Sequence, residues 1–368
     1  MNKVGETTLE IDLRALAHNY HYLRSKLDPD AKFMAVVKAF AYGSDAVAVS
    51  QKLEDLGADY LAVAYVKEGV ALREAGVRLP ILVLHPQPLN FTTLIDYELE
   101  PSLYSPRVLR LFLECAQNKK VSRYPVHIKF NTGLNRLGFW ENDVDYIMEQ
   151  LQGRDEISIK ALFSHLAASE DPKETEFSKR QIKTFTTICQ AMDSALGQAP
   201  LRHLLNTSGI VNYPEAQFDM VRSGIGLYGY GNHAAEDEAL RPVAALKTII
   251  SQLHQIEPGE TVGYNRAFTA TGYQKIATLP IGHADGIART YGNGNGFVWI
   301  NNQKAPIIGN VCMDMIMIDV TGIDCRSGDE VIVFGSGHSA EKIANAAATI
   351  SYELLTAVSQ RVSRKILE

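Results

Sequence analysis

The sequence has few cysteines, and none of them stand in a spacing that binds metal. There are four in 368 residues, with no C-x-x-C pair and no companion histidines at metal-ligand intervals. We therefore expect no metal site and reduced thiols that mainly pack in the interior. The four residues are Cys115, Cys189, Cys312 and Cys325.

Long apolar runs and strong positive charge are also missing. No uninterrupted apolar stretch could span a bilayer, and residues 1–13 lack the continuous apolar core of a signal peptide. The net charge is −6, and the basic pair at 119–120 is too short to form a nucleic-acid surface. These absences favour a cytoplasmic protein that binds neither membrane nor nucleic acid. The hydrophobic and charged fractions, 46% and 21%, are ordinary for a globular chain, and the length suits two domains.

The first two-thirds of the chain alternates short apolar runs with amphipathic stretches. One helix is predicted after Asp12, and another with Ser44 as N-cap and Gly57 at its C-terminal stop. About eight strand–helix units over roughly 230 residues fit a closed barrel of parallel strands. An open doubly wound sheet is the alternative, but no G-x-G-x-x-G follows an early strand. The candidate strands are 33–38, 60–65, 80–84, 125–130 and 159–164, with weaker ones at 202–206 and 219–227.

The pattern changes near residue 236. The stretch AAEDEAL (234–240) is polar and indicates a loop, and the segments after it are rich in strand signals separated by glycine and asparagine turns. A helix is predicted over 351–362. The fold class is therefore α/β, with an N-terminal (β/α)8 TIM-like barrel (1–236) and a C-terminal mainly-β domain (237–368). The first residues are a candidate for pairing with the C-terminal domain.

Several residues at strand ends could carry chemistry. Lys38 ends an apolar run, where burial would lower its pKa and make the amine a nucleophile, although a lysine that snorkels from a strand end is the simpler reading. Arg136, in a turn after a strand, could bind an anion, or lie on an ordinary surface turn. Gly224 and Gly226 would let backbone amides approach a phosphate, which alone is weak support. Tyr264, like the 312–314 stretch, is unremarkable in isolation.

Taken together, these segments resemble the bacterial alanine racemases. The resemblance covers about residues 8–364, with the motifs in the family's order and spacing. It implies a pyridoxal 5'-phosphate enzyme that interconverts L-alanine and D-alanine and supplies D-alanine for peptidoglycan. It also implies a homodimer with shared active sites. The motifs are VVKAFAYGSD, NTGLNRLGF, HLLNTSGIVN, DMVRSGIGLYG, VGYNRAF, IGHADG, GNVCMDMIMIDV and SYELLTAVSQRVSR.

The resemblance assigns roles residue by residue. Lys38 would hold the cofactor as an internal aldimine and take the α-proton of the D enantiomer, and Tyr264, from the partner subunit, that of the L enantiomer. Arg136 and His165 would lie near the cofactor ring, and Arg222 would face its pyridine nitrogen. The remaining cofactor-binding positions are Tyr42, Asn206, Thr207, Gly224, Ile225 and Tyr352. Arg136, Met313 and Asp314 would serve the substrate, and Lys129 matches a position often carbamylated.

Some positions depart from the family pattern. Phe40, Asn131 and Asn310 replace the usual asparagine, aspartate and arginine, and His283 replaces an entrance tyrosine. Thr207 replaces serine, and either hydroxyl can donate. These changes put substrate entry, pH dependence and amino-acid selectivity in question.

Other readings remain open at this point. A decarboxylase of the same architecture would present a glutamate where Arg222 stands, and a pyridoxal-phosphate carrier would resemble the barrel alone. Serine is an alternative substrate to alanine, because a small apolar pocket excludes one added hydroxyl poorly. A broader-specificity racemase is a further alternative.

Overall fold

Eight parallel strands close into a barrel in sequence order, with the last strand pairing back onto the first. The computed structural model describes residues 6–231 and 234–368. A first strand, β1 (Thr7–Asp12), precedes the barrel and lies outside it. The barrel strands are β2 (Lys32–Val36), β3 (Tyr60–Val63), β4 (Ile81–Val83), β5 (Glu100–Leu103), β6 (Tyr124–Lys129), β7 (Ile157–Phe163), β8 (Leu201–His203) and β9 (Met220–Ser223).

The barrel confirms the predicted α/β fold class with a separate mainly-β part. Its strands form because short apolar runs are covered on both faces, as expected of parallel strands; every residue of β3 and β4 is buried. The exception is β5, whose sequence EPSL carries no strand signal and was not predicted. All four of its residues are nevertheless buried between β4 and β6. The segment therefore forms a strand because of its packing, despite its low strand propensity.

Helices connect the barrel strands on the outside. Asp12 caps the first by accepting from the amides of Arg14 and Ala15. The cap of the third is Asp45, which accepts from the Ala48 amide at 2.9 Å, so the predicted Ser44 cap is wrong by one residue. The helices are α1 (Leu13–Arg24), α2 (Lys38–Tyr42), α3 (Ala46–Asp55), α4 (Val66–Glu74), α5 (Phe91–Asp96), α6 (Pro106–Asn118), α7 (Val144–Leu151), α8 (Thr175–Leu196), α9 (Thr207–Asn212) and α10 (Ala234–Ala239).

The rest of the chain is mainly β. Nine strands form one sheet in the order β11-β14-β17-β16-β15-β18-β10-β1-β19, and β12 pairs with β13. No helix in the described ranges is long and apolar enough to cross a membrane. The elements are β10 (Ala244–Ile249), β11 (Gln252–Ile256), β12 (Thr261–Val262), β13 (Phe268–Thr269), β14 (Gln274–Leu279), β15 (Phe297–Ile300), β16 (Gln303–Ile308), β17 (Ile316–Asp319), β18 (Glu330–Phe334), α11 (Ala340–Ala346), α12 (Ser351–Thr356) and β19 (Ser363–Leu367).

Two local predictions in this region are wrong. The stretch 234–240 was expected to be a loop, but it contains α10. The helix predicted over 351–362 ends at Thr356, and the chain then forms β19, which pairs in parallel with β1. The apolar spacing of this segment fits a helix, but residues 357–362 form turns that lead into the edge strand of the large sheet. Tertiary pairing outweighed the local pattern.

The β part packs directly against the turn that carries Lys38. A Cβ on Gly43 would lie 2.9 Å from the carbonyl carbon of Leu355 in α12, so the two backbones are in close contact. Arg364 of β19 donates to the carbonyls of Gly43 at 3.0 Å and Ser44 at 3.3 Å. The end of the chain therefore holds the loop after β2 in place.

Candidate active site

A cavity of about 590 Å³ opens where the barrel strands end at their carboxyl side. This is the face at which barrel enzymes carry their catalytic groups, because the βα loops gather there. The structure places most of the predicted site residues around it. The lining includes Lys38, Tyr42, Lys129, Arg136, His165, Asn206, Thr207, Arg222, Gly224, Ile225 and Tyr352.

Lys38 begins a turn with unusual backbone geometry. The four residues 39–42 all have φ between 53° and 55°, a left-handed conformation that costs roughly 1–2 kcal/mol for each non-glycine residue. Glu68 in α4 braces the turn: its carboxylate accepts from the amides of Ala39 at 2.6 Å, Ala64 at 2.7 Å and Tyr65 at 3.0 Å. Such strain persists only where the surroundings impose it, and it concentrates at functional sites.

The surroundings of Lys38 favour the neutral amine. Burial lowers the pKa of Lys38, and the positive charge of Arg136 lowers it further, while Glu68 acts in the opposite direction. A neutral lysine is a nucleophile and a base, whereas the ammonium form is neither. The turn therefore presents an amine suited to carbonyl chemistry.

Lys129 and Arg136 add positive charge to one side of the cavity. Burial lowers the pKa of Lys129 to about 8, and the neighbouring charges of Arg136, Arg222 and Lys38 act in the same direction. The Lys129 ammonium lies 5.6 Å from the centre of the Phe163 ring, which offers a partial cation–π contact. This group of cations makes the cavity a site for an anionic ligand.

Arg222 is the most buried charge of the site. Its guanidinium donates to the carbonyls of Ser164 at 2.8 Å and Leu204 at 3.0 Å, and contacts Nδ1 of His203 at 2.8 Å and of His165 at 3.1 Å. Burial lowers the pKa of Arg222 to about 9, which leaves it protonated at neutral pH. The pKa of His165 is held well below its ordinary value by burial first and by Arg222 next, so this imidazole is neutral.

Hydroxyls and backbone amides form a second group of residues in the cavity. The Thr207 hydroxyl, at the start of α9, lies 3.3 Å from the amides of Gly224 and Gly226. A Cβ on Gly224 would lie 3.0 Å from Cζ of Tyr42 and even closer to its hydroxyl. Burial raises the pKa of Tyr42 and of Tyr352, so both phenols stay protonated and can donate. The donor set suits a phosphate ester.

Three predicted residues lie elsewhere. Tyr264, Met313 and Asp314 line a second, open surface pocket that shares no residue with the first. The Tyr264 side chain is 72% exposed. Asp314 accepts from Arg361 at 2.8 Å, and Arg361 also pairs with the buried Asp285 at 2.7 Å. Within a single chain the structure therefore does not bring Tyr264 to Lys38.

The positions that depart from the family pattern have local structural roles. Asn131 accepts from the amides of Gly133 and Asn135 and shapes the turn before Arg136. Asn310 donates to the Tyr264 carbonyl at 3.0 Å. The side chain of Phe40 is exposed on the strained turn, and that of His283 is exposed in the loop after β14.

The sequence analysis missed several residues of the site. Tyr65 and His85 line the cavity after β3 and β4, and their rings lie 5.8 Å apart. His203, behind Arg222, was also missed. Tyr65 ends a predicted strand and His85 follows one, so the rule that loops after barrel strands form the site would have selected both. His203 lies inside the predicted strand 202–206, where no local signal marks it.

Comparison with known proteins decides the family. The model of the alanine racemase N-terminal domain matches residues 11–232, and that of the C-terminal domain matches residues 243–366. The chain belongs to the alanine racemase family. This confirms the resemblance and the membership in a family of isomerases.

Individual alanine racemases align over nearly the whole chain. That of Halothermothrix orenii is 36% identical, and the match covers 99% of this chain and 98% of the relative. The solved alanine racemase of Clostridium difficile 630 is 35% identical with a TM-score of 0.92, and 99% and 96% of the two chains are covered. The alanine racemase of Bartonella henselae, solved with covalently bound pyridoxal phosphate, is 28% identical with a TM-score of 0.89, over 99% of this chain and all of the other.

Proposed function

We propose that this chain is a pyridoxal-5'-phosphate-dependent alanine racemase that moves the α-proton between Lys38 and Tyr264 and supplies D-alanine for peptidoglycan. The observation that carries the proposal is the pairing, in one cavity, of a half-buried lysine on a braced turn with the buried Arg222. The membership in the alanine racemase family supports it.

The residues of the cavity fit the cofactor. An aldehyde reacts with a neutral amine, and the lowered pKa of Lys38 favours that form. The phosphate needs hydrogen-bond donors. The close approach of Gly224 to Tyr42 leaves no space for a side chain there, so the backbone itself faces the ligand. The phosphate-binding groups would be Tyr42, Thr207, Tyr352 and the amides of Gly224 and Ile225. Asn206 holds the start of α9 by accepting from the Gly209 amide at 2.9 Å.

Each remaining residue has a chemical task in this proposal. Arg136 would bind the phenolic oxygen of the cofactor or the substrate carboxylate, and Lys129 lies beside it as a second cation or, when carbamylated, as its brace. His165 would pack against the ring. When bound, the cofactor delocalises the negative charge left by removal of the α-proton. The chain supplies the two bases and the electrostatic surroundings.

We further propose that the active site is completed by a second copy of this chain. In one chain the second base lies in a separate, open pocket, and its side chain is largely exposed. In a homodimer the partner's Tyr264 would face Lys38 from the other side of the substrate, with the partner's Met313 and Asp314 at the substrate carboxylate. In this proposal the barrel unit 1–236 holds the cofactor, and the unit 237–368 completes the active site of the partner.

The reaction needs bases on opposite faces of the α-carbon. Lys38 would take the α-proton of D-alanine while the hydroxyl of Tyr264 gives a proton to the opposite face, which yields L-alanine. In the reverse direction the two residues exchange these roles. A free tyrosine has a pKa near 10 and is a poor base at neutral pH. The cations of the cavity, Arg222 among them, would stabilise the phenolate once Tyr264 reaches them.

Arg222 favours racemisation over other outcomes. It stays protonated and only donates, so a ring nitrogen that faces it accepts a hydrogen bond and gains no proton. Arg222 would in this way keep the electron withdrawal by the cofactor moderate, which would limit side reactions. A decarboxylase of this architecture would place a carboxylate there instead. A carrier protein would not need the second domain that contains Tyr264.

Hydrogen exchange in deuterated water tests the function. The purified protein with pyridoxal phosphate is incubated with L-alanine and, separately, with L-serine. We expect deuterium at the α-position together with growing D-alanine, and the ratio of the two rates gives the selectivity. Carbon dioxide release would support the decarboxylase. A bound cofactor that absorbs visible light without any exchange would contradict the proposal.

The second base is tested by Tyr264→Phe, with Tyr273→Phe as the matched control on another exposed tyrosine. Loss of one acid–base group typically lowers the rate by about 10²–10⁴. We expect that loss in Tyr264→Phe and an unchanged rate in Tyr273→Phe. Unchanged racemisation in both would remove the two-base mechanism while leaving the family membership intact.

A further inference from the structure

A chain of hydrogen bonds crosses the interior of the barrel, from the cavity towards its opposite end. From Arg222 on β9 it reaches Nδ1 of His203 on β8 at 2.8 Å. Nε2 of His203 lies 3.1 Å from Nδ1 of His127 on β6. Nε2 of His127 lies 2.7 Å from the carboxylate of Glu100, the first residue of β5. Barrel interiors are usually filled by branched apolar side chains, so four polar residues in series need an explanation.

The two end residues of this hydrogen-bond series, Arg222 and Glu100, determine the direction of every hydrogen bond in it. Arg222 can only donate, so Nδ1 of His203 must accept. Neutral His203 then carries its hydrogen on Nε2 and donates to Nδ1 of His127. His127 must accept there, so its own hydrogen is on Nε2 and points at Glu100, which accepts as a carboxylate. Both imidazoles are therefore neutral and of one tautomer, and a positive and a negative charge stand at the two ends.

Burial makes this arrangement significant for Arg222. His127 and His203 are fully buried, and Glu100 is 8% exposed. The direct partners of Arg222 are two carbonyls and two neutral imidazoles, so none of them balances its charge. Glu100 is the carboxylate that Arg222 reaches through the hydrogen bonds of His203 and His127. In a medium of low dielectric constant, hydrogen bonds in series polarise one another, so a charge at one end strengthens the acceptor at the other.

The groups packed around this hydrogen-bond series favour neutral imidazoles. The Phe163 ring of β7 stacks on His203 at 4.7 Å and excludes water from it. Burial, followed by the charge of Arg222, holds the pKa of His203 well below its ordinary value. The pKa of Tyr60 on β3 is raised by burial and then by Glu100. The other titratable groups that sense Glu100 are Arg73 and Tyr124.

We propose that Glu100 is a remote positioning residue of the active site, which acts through His127 and His203 to align Arg222 and to keep it protonated. This inference rests on the proposed function for the role of Arg222 at the cofactor. The direction of the hydrogen bonds stands apart from that role and can be measured separately.

The first test measures the two tautomers in the unaltered holoenzyme. Nitrogen NMR of histidine-labelled protein, assigned with His127→Gln and His203→Gln, reports which ring nitrogen carries hydrogen. We expect hydrogen on Nε2 and none on Nδ1 in both residues, from about pH 6 to about pH 9. A hydrogen on Nδ1, or a doubly protonated ring, would overturn the proposal. The NMR measurement requires neither racemase activity nor a stable variant at Glu100.

The second test is Glu100→Gln, which keeps an acceptor for His127 but removes the charge. Its control is Glu10→Gln, which removes another poorly exposed carboxylate, one that pairs with Lys247 and Lys365 in the large sheet. We expect the alkaline limb of the kcat/KM profile to move about one pH unit lower in Glu100→Gln, the effect of one charge on the order of 10 Å away at an effective dielectric constant of about 20. The control should lose stability without this movement.

The outcomes separate the two proposals. A Glu100→Gln profile that superimposes on that of the unaltered protein would mean that Glu100 only fills space, and the inference would fail. If the unaltered protein exchanges no α-proton, the proposed function fails. The NMR measurement still determines which atom donates in each hydrogen bond of the series.

Discussion

Replacing Gly224 by alanine would test the phosphate-binding side of the cavity most directly. The new Cβ would lie 3.0 Å from Cζ of Tyr42 and closer still to its hydroxyl, well inside normal contact. Tyr42 cannot move away easily, because its ring stacks on Tyr228 at 4.5 Å and meets Tyr352 at 6.0 Å on another side. The substitution must therefore displace either the phenol or the backbone amide, and each is a proposed donor to the phosphate.

The expected loss corresponds to about one hydrogen bond to a charged group. Such a bond contributes about 1.5–3 kcal/mol, so the affinity for pyridoxal phosphate should fall roughly ten- to 150-fold. The dissociation constant is measured by titrating the cofactor-free protein and following visible absorbance. The same titration with pyridoxal, which has no phosphate, should change little. The preference for the phosphorylated form should therefore shrink by the same factor.

The control for this experiment is Gly272→Ala. A Cβ at Gly272 meets no atom within 4 Å, so a methyl group there has no steric consequence. We expect its affinity for the cofactor to equal that of the unaltered protein. The reasoning is refuted if Gly224→Ala binds pyridoxal phosphate normally, or if it loses affinity for pyridoxal to the same extent.

Two further predictions concern stability. Because burial lowers the pKa of Lys129 to about 8 from an ordinary 10.5, the unfolded chain binds more protons between these values, so stability should rise with pH in that window. Lys129→Met should therefore be more stable than the unaltered protein at pH 7 by up to about 3 kcal/mol, with an advantage that shrinks above pH 8 in denaturant titrations; a constant difference would contradict the burial of a free amine. Gly43→Ala should cost at least about 2 kcal/mol more than Gly57→Ala, because both have positive φ but only Gly43 faces the Leu355 backbone. Equal losses would show that this contact is not tight.

Most of the fold was predictable because its signals are local. Apolar runs of strand length that alternate with helical patterns indicate parallel strands, and their number indicates a barrel. The strand β5 escaped because its sequence, EPSL, has no propensity of its own and is held by its neighbours. The strand β19 was not predicted for a similar reason. It forms because it pairs with β1, and no residue near it in sequence indicates that partner.

The residues around the cavity were also largely predictable. In a parallel barrel all strands end at the same rim, so residues that follow strands meet there whatever their separation in sequence. Lys38 and Arg136 were selected on this ground and by resemblance, Arg222 by resemblance alone, and all three line one cavity. His85 was overlooked although the same rule applies to it.

The sequence by itself determined which elements form and which side chains reach the carboxyl end of the barrel, because both depend on short-range periodicity and on the common direction of the strands. Only the tertiary structure decided that Tyr264 lies apart from Lys38 in one chain. It also decided that Glu100, His127 and His203 lie in series behind Arg222. The middle contact, between His203 of β8 and His127 of β6, joins strands that are not consecutive in sequence. The series therefore depends on barrel register and closure, which arise from the packing of all eight strands together.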